Sequence, residues 1–293
     1  MNIHKKVGIV TVTYNSKSIL SDFLDSCLAQ KNIDFILYCI DNNSADNSLT
    51  IIDSHNNPNI KVVKNPINHG FAKASNQGIK LALEDKCDYI LLINNDTVFD
   101  DNMISILLND LQQHAGDFIS PKIIDFNDNT TLWAGGDFKF SRAYANTIIG
   151  YKKSDTGQYT NIYQTFHAPF CCVLFDKKCF KINGLLDERY FVYWEDSDWC
   201  FSAKKNKLRL LFTPNTVILH KESSLTGQYS EFKIRQLAKG RGLFLKKYFH
   251  PALFLIFIPI AITTPIKLFL QKHISLKFTY LYISNFLGSI IKR

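Results

Sequence analysis

Apolar residues along this chain recur in two rhythms: short continuous runs, and positions spaced by three and four. Val7–Thr13, Phe35–Ile40, Ile60–Val63 and Tyr89–Ile93 are continuous and largely aliphatic or β-branched, which predicts strands, the longer ones buried on both faces of a sheet. Between them, Ser18–Gln30 carries Ile19, Leu20, Phe23, Leu24, Cys27 and Leu28 at helical spacing. Asp46 or Ser48 caps a helix through Ile52, Phe71–Leu83 offers a slim face of Ala74, Gly78, Ile79 and Ala82, and a further helix runs from Asp101 to about Gln113. Strand and helix thus alternate four times before residue 115, the signature of βαβ units and a parallel sheet.

Polar residues punctuate these runs at one end. Tyr89–Asp96 reads Tyr-Ile-Leu-Leu-Ile-Asn-Asn-Asp, a greasy strand that stops abruptly in Asn94, Asn95 and Asp96. An Asn-rich turn alone would account for one such ending. Tyr14 and Asn15 close the first strand and Asp41 and Asn42 the second, and three polar endings in register make a crevice, the place where open α/β sheets bind ligands. There is no Gly-x-Gly-x-x-Gly after the first strand and no Gly-x-x-x-x-Gly-Lys, so a dinucleotide fold and a P-loop enzyme are disfavoured.

Beyond Phe118 the pattern changes. Phe118–Ile124, Leu132–Phe140, His167–Phe175, Arg209–Phe212 and Val217–Leu219 are predicted strands, and Ser154–Thr160 a polar loop. Glu195, Asp196 and Asp198 then place three acids within four residues, bracketed by Trp194 and Trp199, where Asp196 or Ser197 can cap a helix through Lys205. Capping explains one or two of these acids; a carboxylate beside aromatic surface can also act as general base toward a hydroxyl. His220 ends the last strand, and a core histidine and a metal ligand are both open to it.

Charge separates the tail from the body. From Glu231 onward there are 11 Lys and Arg against one acid, a local +10, so the net +8 leaves −2 for the first 230 residues. A basic segment interleaved with apolar runs favours an anionic membrane surface over nucleic acid. Ser230–Phe249 is a predicted basic helix, followed by apolar Ala252–Ile266, which Pro259 and Pro265 interrupt, and by apolar Leu276–Ile291. The first apolar run falls short of the about 20 residues that span a bilayer. A monotopic helix or shallow hairpin is expected, with a hydrophobic homodimer contact as the alternative. Seven cysteines without a Cys-x-x-Cys pair indicate a reducing compartment, with neither a disulfide framework nor a zinc site. Val7–Val12 is too short for a secretory leader.

Taken in order, these motifs resemble the inverting nucleotide-sugar glycosyltransferases of family two, especially their rhamnosyltransferase-like branch. The resemblance rests on Val12–Asn15 (Val-Thr-Tyr-Asn), Asp41–Asp46 (Asp-Asn-x-Ser-x-Asp), Asn68–Ala72 with Asn76, Asn94–Asp96, Glu195–Asp198 and His220–Ser223. It implies a GT-A fold, a mostly parallel sheet flanked by helices: a catalytic domain over 1–228, with a nucleotide-binding half to 115 and an acceptor-binding half after it, then the apolar helical region 229–293. It further implies a dTDP- or UDP-sugar donor held by Tyr14, Asn15, Asp41, Asn42, Gly70, Asn76, Asn94 and Asn95. Asp96 and His220 would ligate Mg²⁺ or Mn²⁺, Asp196 would be the base, and Trp194 and Glu195 would meet a glycan or lipid-linked acceptor. Two departures stand out: Asn94 replaces the first acid of the usual Asp-x-Asp, and Asn42 stands where many relatives carry a second Asp. The resemblance also implies bacterial surface polysaccharide synthesis at the cytoplasmic face of the cell membrane. A sugar nucleotidyltransferase, or a non-catalytic nucleotide-sugar binder, is the alternative.

Overall fold

The computed structural model describes residues 5–221 and 230–291. Its first half follows the predicted alternation: β1 (Lys6–Thr13), α1 (Leu20–Leu28), β2 (Asp34–Asp41), α2 (Ser48–Ser54), β3 (Ile60–Lys64), α3 (Phe71–Glu84) and β4 (Tyr89–Ile93). These strands stand side by side in the order β3-β2-β1-β4, all parallel, with Ile9 opposite both Leu37 and Leu91. All five residues of β4 are buried, as an aliphatic strand covered on both faces must be. A short β5 (Thr97–Phe99) and α4 (Met103–Gln113) complete this half.

The second half extends the same sheet with mixed direction. It comprises β6 (Phe118–Asp125), β7 (Thr130–Trp133), β8 (Gly136–Phe138), β9 (Asn146–Ile148), β10 (Lys153–Ser154), β11 (Tyr163–Thr165), β12 (Cys172–Asp176), α5 (Lys178–Asn183), α6 (Glu195–Lys205) and β13 (Leu210–His220), with β8 and β9 pairing as a separate two-stranded sheet. β12 lies antiparallel between β4 and β6, and β13 runs parallel to β6, so the sheet is mixed about a parallel core. Phe118, Phe175 and Trp199 pack ring against ring at 5.1–5.5 Å where α6 meets this sheet.

Several predicted elements are redrawn. Leu132–Phe140 is not one strand: Gly135, at φ +125°, turns the chain between β7 and β8, and Phe140 begins a short 3₁₀ turn. The strand expected from His167 starts only at Cys172, since Pro169 has no N–H to give a ladder. The two predicted final strands are one, β13, with an irregularity between Thr213 and Val217. Neither Asp196 nor Ser197 caps α6: the helix begins at Glu195, behind a left-handed Trp194, so the acids fill its first turn.

The remaining chain is helical: α7 (Glu231–Tyr248), α8 (Phe254–Leu270) and α9 (Leu276–Ile291). Pro259 and Pro265 lie inside α8 without ending it. An interior proline deprives the carbonyl four residues earlier of its donor. For Pro265 that carbonyl is Ala261 O, and the Arg241 guanidinium donates to it at 3.2 Å. Arg241 also reaches Thr264 Oγ1 and Arg142 O, stapling α7, α8 and the Phe140–Arg142 turn together although it is only 3% exposed. A second apolar cluster forms around this staple, from Ala238, Phe244 and Leu245 of α7, Phe257 and Ala261 of α8, and Phe286 of α9. The helix that includes α8 runs Pro251–Leu270, 20 residues, long and apolar enough to cross a membrane. Length therefore does not exclude a span, contrary to expectation.

Candidate active site

The polar strand ends converge as expected. A cleft of about 810 Å³ opens beyond the carboxyl ends of β1, β2 and β4, lined by Tyr14, Asn42, Gly70, Asn94, Asn95, Asp96 and His220. Asn68 and Phe71 of the Asn68–Ala72 motif also line it, and sequence reasoning gave no role to its remaining walls, the Phe191–Tyr193 segment and Ser230, Phe232 and Lys233 at the start of α7. No local pattern marks the last three, because only the packing of α7 brings them here.

Asp96 and His220 meet at the foot of the cleft. Antiparallel pairing of β5 with β13 sets Thr97 opposite His220, and Lys221 N donates to Asp96 O. Asp96 Oδ1 is buried, accepts no well-directed hydrogen bond and lies 3.1 Å from His220 Nε2. A carboxylate oxygen left bare beside an imidazole is a donor set that suits Mg²⁺ or Mn²⁺. Among the described residues no third His, Cys, Asp or Glu joins them. Asn94 N donates to Cys171 O, and Asn95 Nδ2 to Ser16 Oγ, so Asn95 braces the strand end from beneath.

The second pair of strand ends is more committed to structure than expected. Asn42 Oδ1 accepts from Asn65 Nδ2 and His69 N, while its Nδ2 donates to Asn68 Oδ1 and Gly70 O. The amide is thus saturated in building the turn to Gly70, which removes the free acceptor that a pyrimidine N3–H would need. Asp41 Oδ2 accepts from Ser44 N, whereas its buried Oδ1 has no hydrogen-bond partner. Asn15 Oδ1 accepts from Ala45 N, tying the ends of β1 and β2 together.

Asn76 does not face the cleft at all. It is 1% exposed and clasps the backbone of Leu186, accepting from its N and donating to its O. Gly70 explains the neighbouring contact: at φ +81°, a Cβ there would overlap Phe191 O and lie 2.8 Å from the Phe191 ring. The glycine lets Phe71 N donate to Phe191 O at 2.6 Å. Together Asn76 and Gly70 dock the Leu186–Tyr193 segment across the parallel half.

That segment delivers the acids. Tyr193 and Trp194 both hold left-handed backbone, at φ +67° and +75°, strain of about 1–3 kcal/mol each that the packing must sustain. Trp194 does not present its ring to the cleft: it packs on Phe244 at 5.3 Å, and a Cβ at Gly240 would sit 2.7 Å from its indole. Glu195 is buried with Oε2 unbonded, and burial, then the adjacent Asp196 charge, push its carboxyl well above the ordinary range. Asp196 is more open; its Oδ1 accepts from Ser197 N at 2.5 Å and its Oδ2 lies 3.8 Å from His167 Nε2. Burial lowers the pKa of His167 despite Asp196, so the imidazole is neutral at pH 7. A buried carboxyl whose pKa is raised, set directly beside a more open one, is the kind of pair in which acid and base roles separate.

Cys171 links both chemical groups. Its thiol is pushed up by burial first, then by Cys172 and by the Asp96 and Asp196 carboxylates, so one buried atom feels both. Asp198, by contrast, is structural. Its Oδ1 accepts from Tyr190 and its Oδ2 from Lys247 Nζ at 2.7 Å, and the same Nζ holds Asp187 at 2.9 Å. Burial raises Asp198 more than the Lys247 bridge lowers it, whereas Asp187 is held well below the carboxylate range, its own burial cost overcome by Arg189 and Lys247. Ser223 of the His220–Ser223 stretch lies outside the described residues.

A parallel half with a carboxylate–imidazole pair at its strand ends and an acid-headed helix facing it has the architecture of the GT-A fold. The chain belongs to glycosyl transferase family 2, whose pattern matches residues 8–182. It is 24% identical over 179 residues to the low-salt glycan biosynthesis hexosyltransferase Agl10 of Haloferax volcanii, covering 59% of this chain and 55% of that protein. Over 96 residues it is 34% identical to poly(ribitol-phosphate) beta-glucosyltransferase of Bacillus spizizenii, 31% of this chain and 15% of that one. The chain thus spans about half the length, or less, of these curated relatives. In fold it is similar to S. aureus TarS 1-349 in complex with UDP-GlcNAc, with a TM-score of 0.62, 15% identity, and 97% and 81% of the two chains covered. GalNAc-T7 with UDP, GalNAc and Mn²⁺ aligns at a TM-score of 0.65 and 15% identity, over 84% of this chain and 51% of that one.

Proposed function

We propose that this protein is an inverting hexosyltransferase that moves a sugar from a UDP- or dTDP-sugar to a hydroxyl of a glycan or lipid-linked acceptor. Asp96 Oδ1 carries the reading: a buried, unbonded carboxylate oxygen beside His220 at the foot of a cleft large enough for a nucleotide sugar. Asp96 and His220 hold a divalent cation, Mg²⁺ or Mn²⁺, which when bound supplies positive charge toward the diphosphate. The GalNAc-T7 structure contains Mn²⁺ with UDP, and the TarS structure contains UDP-GlcNAc. Asp41 and Tyr14 serve the nucleoside, and Asn42 acts by shaping the Asn68–Gly70 turn.

Burial pushes the Glu195 carboxyl up and closes it off, whereas Asp196 is the more open of the two, so Asp196 is assigned as base. Asp196 takes the proton of the acceptor hydroxyl. The hydroxyl oxygen bonds to the anomeric carbon as the bond from that carbon to the diphosphate breaks, and one displacement inverts the centre. His167, hydrogen-bonded to Asn146 and Ser197, lines the far side of Asp196 at 3.8 Å.

The setting is a membrane surface. Leu255 is 84% exposed, Leu270 72% and Tyr280 73%, on a segment whose charge is basic. α8 lies on this surface as a monotopic helix, because Arg241 and Phe257 hold its other face against the protein. We place the chain at the cytoplasmic face of a bacterial cell membrane, in surface polysaccharide synthesis. A thermal-shift screen against UDP-, dTDP- and GDP-sugars with and without Mn²⁺ tests the donor. One uridine or deoxythymidine class should raise Tm only with metal, and nucleoside diphosphate should be released only with acceptor. Stabilisation by GDP-sugars alone, or none by any class, would reject the reading.

A further inference from the structure

The Phe191–Tyr193 segment has a cavity on each of its two sides. Besides the donor cleft, a second cavity of about 590 Å³ lies between this segment, α7 and α9. Its lining includes Arg189, Gln236, Lys239 and Asn285, and neither Asp nor Glu. Arg189 spends Nε and Nη2 on Asp187, and among the described residues no hydrogen bond engages its Nη1. Lys239 is exposed and has no carboxylate within ion-pair distance among the described residues. Asn285 donates to Leu281 O, which leaves its oxygen and second hydrogen available. Gly288 contributes open space: a Cβ there would meet nothing within 4 Å.

We propose that this cavity is a second binding site, for a phosphate-bearing segment of the acceptor. The inference rests on the transferase reading of the neighbouring cleft. A concave, cationic lining with amide hydrogen-bonding groups and no acid selects an anion, and phosphate is the anion that Lys and Arg together recognise. Position adds the second argument. Phe191, Val192 and Tyr193 wall both cavities, so a ligand in one lies a single chain's thickness from the donor in the other. The phosphate can belong to a lipid carrier, given the exposed apolar residues of α8 and α9, or to a phosphodiester of a growing polymer.

The test uses the full chain saturated with Mn²⁺ and whichever of UDP and dTDP raises its Tm, so that the donor cleft is filled. Calorimetric titration with farnesyl phosphate, glycerol 3-phosphate and farnesol should show a phosphate binding at least about tenfold more tightly than farnesol. Farnesyl phosphate binding alone identifies a lipid carrier; both phosphates binding identifies the phosphate itself as sufficient. Lys239→Glu should weaken phosphate binding by about tenfold or more and leave nucleotide affinity unchanged. Gly288→Leu, which fills open space on a helix, should do the same by occlusion. The proposal falls if no phosphate binds, if farnesol binds as well as farnesyl phosphate, if phosphate displaces the nucleotide, or if both variants bind normally. Failure of every nucleotide to bind sinks the transferase reading instead, while the phosphate titrations still report on this cavity.

Discussion

The parallel half and the helical tail break the same rule in opposite directions. In the parallel half polar groups are buried, and most are bonded: Asn42, Asn76 and Asn95 spend their amides on backbone and neighbouring side chains. In the tail apolar groups are exposed, from Leu255 to Tyr280. Each region's exceptions point outward. Among buried acids, Asp41, Asp96 and Glu195 keep an oxygen without a hydrogen bond, and all three stand at strand ends or on the helix facing them. An unbonded buried carboxylate costs stability, so such atoms persist where a ligand completes them. Exposed leucine costs little in water but gains on a lipid surface.

The sharpest way to break this comparison is Asp196→Asn. Transfer should fall by about 10²–10⁴-fold while nucleotide binding survives; wild-type turnover by the variant would remove the base from the mechanism. Leu255→Glu with Leu270→Glu comes next. Vesicle flotation with anionic lipid should lose most of the bound protein, with Tm nearly unchanged, since both side chains already face solvent. Retained flotation would leave the tail as a dimer surface, and sedimentation would then show the change in mass.

A smaller effect tests the staple. Arg241→Met should cost about 1–3 kcal/mol in chemical denaturation, because Ala261 O and Arg142 O lose their donor. A neutral outcome would mean that relief from burying the charge offsets those bonds. The smallest effect lies in pH dependence and has a definite sign. Glu195 has a folded pKa above its unfolded one, so its contribution to stability is fully present below the ordinary carboxylate pKa and is lost as pH rises through the folded value. Asp187, held low, contributes the opposite: stability present above its unfolded pKa and lost as pH falls through the depressed one. Glu195→Gln should therefore raise Tm at pH 8 relative to pH 4. A Tm difference independent of pH would contradict the burial assigned to Glu195.

Much of the donor cleft was legible because its chemistry lies in contiguous stretches at strand ends. Tyr14, Asn42, Gly70, Asn94, Asn95, Asp96 and His220 all stand where the β-strand pattern and the motifs put them. What the sequence concealed was how each side chain is spent. Asn42 and Asn76 were expected on ligand and are occupied by backbone, since a hydrogen bond to Leu186 spans 110 residues and leaves no local trace. Lys247 and His167 were invisible for the same reason, joining the acid cluster across 49 and 30 residues. The extent of α8 was hidden as well: the helix runs on to Leu270, past the predicted Ile266, and the guanidinium of Arg241, far away in sequence, satisfies the carbonyl below Pro265.

The Phe191–Tyr193 segment is a partition, and a partition makes its two chambers share one variable. Any displacement of these residues that enlarges the donor side narrows the α7–α9 side. Where a ligand in one chamber shifts the wall, affinity in the other changes with it, and thermodynamic reciprocity fixes that factor to be equal both ways. A wall of this kind would give coupling without order: each ligand helps or hinders the other by one factor, whichever arrives first.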